Sequence, residues 1–108
     1  EGTIAQAPPI SYAVKMEQAD RDIKWSKVYY HSYRRTAEIS YLKLSANYCV
    51  NAIQSLKATQ QSLSNTTSAY YKVKNKRFDA CRFYSQLQSV SQQLDPTHHL
   101  ESILSLCN

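Results

Sequence analysis

Three cysteines, Cys49, Cys81 and Cys107, are the residues of this 108-residue chain best suited to chemistry. In an oxidising compartment two of them could form a disulfide, and the third would be a buried thiol or an intermolecular link. In a reducing compartment all three would be small buried side chains. A cysteine nucleophile would need His98 or His99 as its base, and no Cys-x-x-Cys spacing is present. The cysteines therefore favour a structural role.

Other catalytic and metal-binding patterns find no support in the sequence. The chain has no Gly-rich phosphate loop and no pair of carboxylates in an apolar neighbourhood. His98 and His99 are adjacent, so on a helix they would point about 100° apart and would not chelate a metal as an i, i+4 pair does. We therefore predict no catalytic site, no cofactor and no metal site.

The stretch YYKVKNKRFDACRFY, residues 70–84, interleaves basic and aromatic side chains. Helical spacing distributes the basic residues around the helix instead of along one stripe, which argues against a nucleic-acid contact. The net charge of +5 is compatible with nucleic acid, anionic lipid or an acidic protein. An electrostatic binder of nucleic acid or of a membrane surface is kept as an alternative, acting through Lys24, Lys27, Arg34, Arg35, Lys74 and Arg82.

The elements that must position these residues are helices. The single glycine and the three prolines lie before Ile10 or at Pro96. A β-protein of this size would need several tight turns of glycine, proline or Asn-Gly, and these are absent. The sequence therefore predicts an all-α fold, either an antiparallel helical hairpin or a three-helix bundle, with a short C-terminal capping helix.

Apolar spacing predicts the helix boundaries within a single helical domain over 10–108, preceded by a flexible lead over 1–9. One apolar seam runs from Leu42 to Leu63, and a second stripe, rotated by about 100°, begins upstream at Met16. They predict one long helix over about 10–63, which either bends near 32–36 or projects and pairs with a second copy. A polar turn then leads to a helix over about 67–94, whose seam contains Val73, Ala80, Tyr84, Leu87 and Leu94. After Asp95-Pro96 we expect a short helix over about 97–106.

This hairpin geometry places the cysteines. Residue 65, at the centre of the predicted turn, is midway between Cys49 and Cys81, so these two would be level across the hairpin. The sequence therefore predicts either a Cys49–Cys81 disulfide or the competing pair Cys81–Cys107, which would hold the short third helix, and the spacing does not choose between them. Asn65-Thr66-Thr67 matches the glycosylation acceptor pattern on this exposed turn, although the turn alone explains its polar residues.

The function predicted from these features is a non-catalytic module that binds a protein partner. Charged residues make up only 19% of the chain, and this weakly charged, polar composition favours an exported protein, whether secreted, surface-exposed or periplasmic. Tyr30, Tyr41 and Tyr48 are expected to fill the second stripe. A structural homo-oligomer through the first helix is a further alternative. The predicted contact residues are Tyr29, Tyr33, Arg34, Arg35, Tyr71, Lys74, Phe78 and Arg82.

Overall fold

Three long helices and one short helix build the fold in the computed structural model, which describes residues 9–94 and 100–108. The helices are α1 (Pro9–Thr36), α2 (Ile39–Gln61), α3 (Ser68–Leu94) and α4 (Leu104–Cys107). The long helices pack together as a bundle, which confirms the all-α prediction. None of the described helices is both long and apolar enough to span a membrane. The lead predicted over 1–9 lies outside the described residues except for Pro9, and so do Asp95, Pro96, His98 and His99.

Two helices replace the single long helix predicted over 10–63. The chain reverses at Ala37 and Glu38, between the end of α1 and the start of α2. The reversal lies immediately after the 32–36 region, where the prediction allowed only a bend. The two apolar stripes therefore belong largely to two antiparallel helices that face each other, and α1 packs within its own chain.

Local backbone bonds end α1 without a glycine or a proline. Ala37 has a left-handed backbone with φ of 59°, and its N–H donates to the Tyr33 carbonyl at 2.7 Å, the bond that commonly closes a helix C-terminus. The Thr36 hydroxyl donates to the Ser32 carbonyl at 2.8 Å and accepts the Glu38 N–H at 3.2 Å. Short polar side chains and an alanine with a left-handed backbone end this helix. The sequence therefore showed no glycine or proline stop signal.

A reciprocal pair of serines joins α1 to α2. The Ser26 hydroxyl donates to the Ser45 carbonyl, and the Ser45 hydroxyl donates to the Ser26 carbonyl, both at 2.6 Å. Both side chains are fully buried. Small residues at this crossing allow the two backbones to approach closely, and the reciprocal bonds satisfy the buried hydroxyl groups. This pair fixes the antiparallel register that brings the first half of α2 against the last half of α1.

The buried core follows the predicted seams. The polar turn is confirmed as well, since the Thr67 hydroxyl accepts the Tyr70 N–H at 3.2 Å and so caps the start of α3. The buried seam positions are Leu42, Ala46, Cys49, Ile53, Leu56 and Gln60 on α2, and Val73, Ala80, Tyr84 and Leu87 on α3.

The C-terminal capping helix is shorter than the prediction over 97–106. Within the described residues, 100–103 are not helical and α4 covers only Leu104–Cys107. The Tyr84 hydroxyl donates to the Glu101 carbonyl at 2.8 Å, and the Gln88 amide donates to the same carbonyl at 3.2 Å. Because side chains of α3 occupy this carbonyl, the segment lies against the bundle in a largely irregular conformation.

Candidate interaction surfaces

Tyr33, one of the predicted contact residues, is buried. Its side chain is only 3% exposed and belongs to the main hydrophobic core together with Leu42 and Ile53. The prediction that Tyr33 points outward was therefore wrong. The reason is the reversal at Ala37, which folds α2 back over the end of α1 and covers this tyrosine.

Tyr29 forms the centre of a stack of aromatic rings between α1 and α2. Its ring lies 5.7 Å from that of Tyr48 and 6.1 Å from that of Tyr41, in both cases nearly parallel. Trp25, one turn earlier on α1, lies 6.1 Å from Tyr29. The three tyrosines are half-buried, whereas Trp25 is 45% exposed. Offset ring pairs of this kind stabilise one another beyond the area they bury.

Two exposed aliphatic side chains extend this stack into a larger apolar surface. Val28 follows Trp25 by three residues, and Leu44 lies between Tyr41 and Tyr48 at helical spacing, so each shares a side of its helix with the stack. Sequence reasoning missed Trp25, Val28 and Leu44 because the chain reversal was not recognised. We call this surface the aromatic face; it consists of Trp25, Val28, Tyr29, Tyr41, Leu44 and Tyr48.

The two arginines predicted as contact residues lie at the exposed end of α1. Arg34 donates to the Tyr30 hydroxyl at 2.9 Å and lies over the Tyr30 ring at 5.8 Å. Arg35 donates to the Ser32 hydroxyl at 3.4 Å. Positive charges are also stabilising at the C-terminal end of a helix, because the backbone carbonyls concentrate negative charge there. This local role accounts for both side chains, and their contact with a partner stays a prediction.

Three of the four predicted contact residues on α3 lie together. The Lys74 amine lies 5.8 Å from both the Tyr71 and the Phe78 ring, and Tyr71 is 51% exposed. Arg82 is exposed and forms an ion pair with Asp79 on the same helix. This group is built on α3, whereas the aromatic face is built on α1 and α2, so the predicted contact residues divide between two surfaces.

The structure contains the competing disulfide, Cys81–Cys107, and not the Cys49–Cys81 bridge. Cys49 keeps a buried free thiol, which donates to the Ala80 carbonyl at 3.4 Å. The prediction that Cys49 lies level with Cys81 is therefore correct to within one residue, since Cys49 contacts Ala80. Cys81 is rotated by about 100° from Ala80 and points towards the C-terminal segment. Burial raises the pKa of Cys49 to about 12, against smaller lowering effects from Ser26 and Lys27.

Side chains from α2 and α3 hold the C-terminal segment, residues 100–108, through its main-chain carbonyls. Arg77, which is 4% exposed, donates to the Leu106 carbonyl at 2.6 Å and to the Gln60 side chain at 2.9 Å. Lys57 donates to the Ser105 carbonyl. Tyr84 and Gln88 bind the other end of the segment, and burial is the first cause that raises the pKa of Tyr84, followed by Cys49 and Glu101. The segment is thus anchored along its length.

The basic stretch of α3 contains one lysine that forms an ion pair with α1. Lys76 pairs with Asp20 of α1 at 2.7 Å, which neutralises part of the basic stretch. Asn65 is exposed in the turn between α2 and α3, as a glycosylation acceptor would require. Burial raises the pKa of Asp22, although neighbouring Arg21 lowers it. Among the residues that the structure describes, no cluster of histidine, cysteine, aspartate or glutamate could hold a metal ion.

Comparison of the chain with protein-family models, with curated proteins and with solved structures found no match.

Proposed function

We propose that this protein is a non-catalytic interaction module that binds a protein partner through the aromatic face. The observation that carries the proposal is the exposure of Trp25, 45% of whose surface is open to solvent beside a stack of three tyrosine rings. Trp and Tyr are enriched among the residues that dominate binding energy at protein interfaces. The stack also holds Tyr29 in place, which lowers the entropy lost on binding.

Charge pairing weakens one part of the electrostatic alternative. Of its six basic residues, Arg82 is paired with Asp79; on the same helix Lys76 is paired with Asp20 and Arg77 is buried, so the basic stretch of α3 presents fewer free charges than its sequence suggests. The other five residues, Lys24, Lys27, Arg34, Arg35 and Lys74, form no ion pair among the described residues, so the salt dependence of binding separates the two functions. A nucleic-acid or membrane binder that relied on these charges would lose affinity steeply with salt. Binding through the aromatic face would change little between low and physiological salt.

An oxidising compartment is the setting that fits this module best. The proposed export is supported by the Cys81–Cys107 disulfide, because such bridges persist in secreted and periplasmic proteins and are rare in the cytosol. The composition, with few charged residues and many hydroxyl and amide side chains, agrees with this setting.

The test is a capture experiment with matched surface variants. Immobilised wild type, Trp25→Ser and Tyr71→Ser would be exposed to the extracellular fraction of the source cells. Truncating a central interface aromatic costs about 2 kcal/mol or more, or roughly thirtyfold in affinity. We expect the partner to be retained by wild type and by Tyr71→Ser and lost by Trp25→Ser. Equal retention by the two variants would refute the aromatic face as the binding surface, and a doubled solution mass of the wild type alone would identify the partner as a second copy.

A further inference from the structure

The C-terminal segment, residues 100–108, lies in a groove between α2 and α3 as a bound peptide would. Apart from the disulfide, its polar contacts with the bundle run from side chains to main-chain carbonyls: Lys57 to Ser105, Arg77 to Leu106, and Tyr84 and Gln88 to Glu101. Main-chain carbonyls are common to every peptide, so these donors recognise a peptide backbone whatever its side chains.

Apolar side chains at three-residue spacing supply the rest of the contact. Leu100, Ile103 and Leu106 are partly buried and pack against the main core. The segment has little structure of its own, since its only helix has four residues, Leu104–Cys107. Its conformation therefore depends on its contacts with the groove, as the conformation of a bound peptide does.

The groove is wider than the segment that fills it. A cavity of about 300 Å³ lies on the α3 side, between Phe78, Ser85 and Ile103. Another of about 600 Å³ lies on the α2 side, between Val50, Asn51 and the same Ile103. Ile103 borders both cavities, so the space around the middle position would accept a larger side chain. A better-fitting occupant would carry an aromatic residue there.

We propose that the groove between α2 and α3 is a binding site for an apolar peptide of a partner protein, with apolar residues at three-residue spacing and an aromatic one in the middle. The segment 100–108 occupies this site as an internal ligand. Because the segment belongs to the same chain as the groove, it competes intramolecularly, and such a competitor acts at a concentration of roughly millimolar. The Cys81–Cys107 bridge adds a covalent tie that closes the site until a dithiol reductant opens the bridge by thiol–disulfide exchange, which leaves two free thiols on the protein and a disulfide on the reductant. This site is separate from the aromatic face and does not depend on the function proposed for it.

The test uses labelled peptides and the full chain. The probe is an acetylated, fluorescein-labelled peptide of residues 100–108 with serine in place of Cys107, compared with a second peptide that also carries phenylalanine in place of Ile103. A scrambled peptide of the same composition is the control. Fluorescence anisotropy would measure binding to oxidised wild type, to Cys107→Ser, and to Cys107→Ser with Ile103→Asp, in which the internal segment is weakened.

We expect at least about tenfold tighter binding to the double variant than to oxidised wild type, because the internal competitor has been weakened. The peptide with phenylalanine should bind more tightly than the peptide with isoleucine. Adding Tyr84→Phe, which removes one donor and keeps the ring, should weaken both peptides severalfold. If the double variant lost its helical signal, the comparison of Cys107→Ser with wild type would replace it, with the same expected order.

Two results would overturn the proposal. The first is binding of the scrambled peptide as tightly as the ordered one, because the groove would then have no preference for the three-residue spacing. The second is equal binding to the oxidised wild type and to the two variants that lack the bridge, because the internal segment would then not occupy the site that the peptide uses. Failure of these experiments would leave the aromatic face unaffected, since Trp25 and Tyr29 lie on another surface.

Discussion

Replacing Ala37 with glycine should stabilise the protein. Ala37 has φ of 59°, in the left-handed region where a side chain costs about 1–2 kcal/mol. Glycine avoids this cost but loses more backbone entropy on folding, by about 0.5–1 kcal/mol. With the middle value of each range, the net gain expected for Ala37→Gly is about 0.75 kcal/mol. Urea unfolding followed by far-ultraviolet circular dichroism would measure it as a higher midpoint with an unchanged slope.

The same alanine-to-glycine change inside a helix is the matched control for this prediction. Ala58 is exposed within α2, where glycine should destabilise the protein by about 0.5–1 kcal/mol. The same chemical change is thus expected to have opposite signs at two positions. If Ala37→Gly destabilised the protein as much as Ala58→Gly, residue 37 would be helical, and the continuous helix predicted from the sequence would be correct after all.

Two cysteine variants test the packing of the thiols. Cys107→Ser opens a loop with a sequence separation of 26, so the free energy of unfolding should fall by up to about 3.5 kcal/mol in oxidised protein; no change in the urea midpoint would mean that the bridge does not constrain the chain. Burial raises the pKa of Cys49 from about 9 to about 12, so above pH 9 the folded state keeps a proton that the unfolded state loses. The contribution of the protonated thiol to the free energy of unfolding is therefore fully present below pH 9 and is lost as the pH rises towards 12. Urea midpoints of wild type and Cys49→Ala, measured between these pH values, should therefore show wild type falling relative to the variant, and parallel pH profiles would contradict the buried thiol.

The helical class and the seams could be predicted because they depend on spacing alone. Leu42, Cys49 and Leu56 recur by sevens, and such residues must face a neighbouring helix whatever the rest of the chain does. Ser26 and Ser45, by contrast, are buried polar residues whose role depends on a partner nineteen positions away. No local pattern distinguishes them from serines on the solvent side of a helix, so this crossing could be recognised only in the structure.

The disulfide was predictable as a pair of alternatives and no further. The level of Cys49 opposite residues 80 and 81 followed from the position of the turn, and the thiol of Cys49 does reach the Ala80 carbonyl. What the spacing could not decide was the rotation of Cys81, because a single residue step turns a side chain by about 100°. That step directs Cys81 away from α2 and towards Cys107.

One backbone conformation explains both errors at the candidate surface. Glycine would normally mark a left-handed helix end, and here alanine adopts it, so the reversal after Thr36 carried no signal in the sequence. With a continuous helix, Tyr33 would face solvent and Trp25 would have no aromatic neighbours on a second helix. With the reversal, α2 covers Tyr33 and brings Tyr41 and Tyr48 against Tyr29, beside the exposed Trp25. The φ angle of Ala37 thus decides which aromatic residues are exposed, and the two alanine-to-glycine variants test the chain reversal on which the proposed binding surface depends.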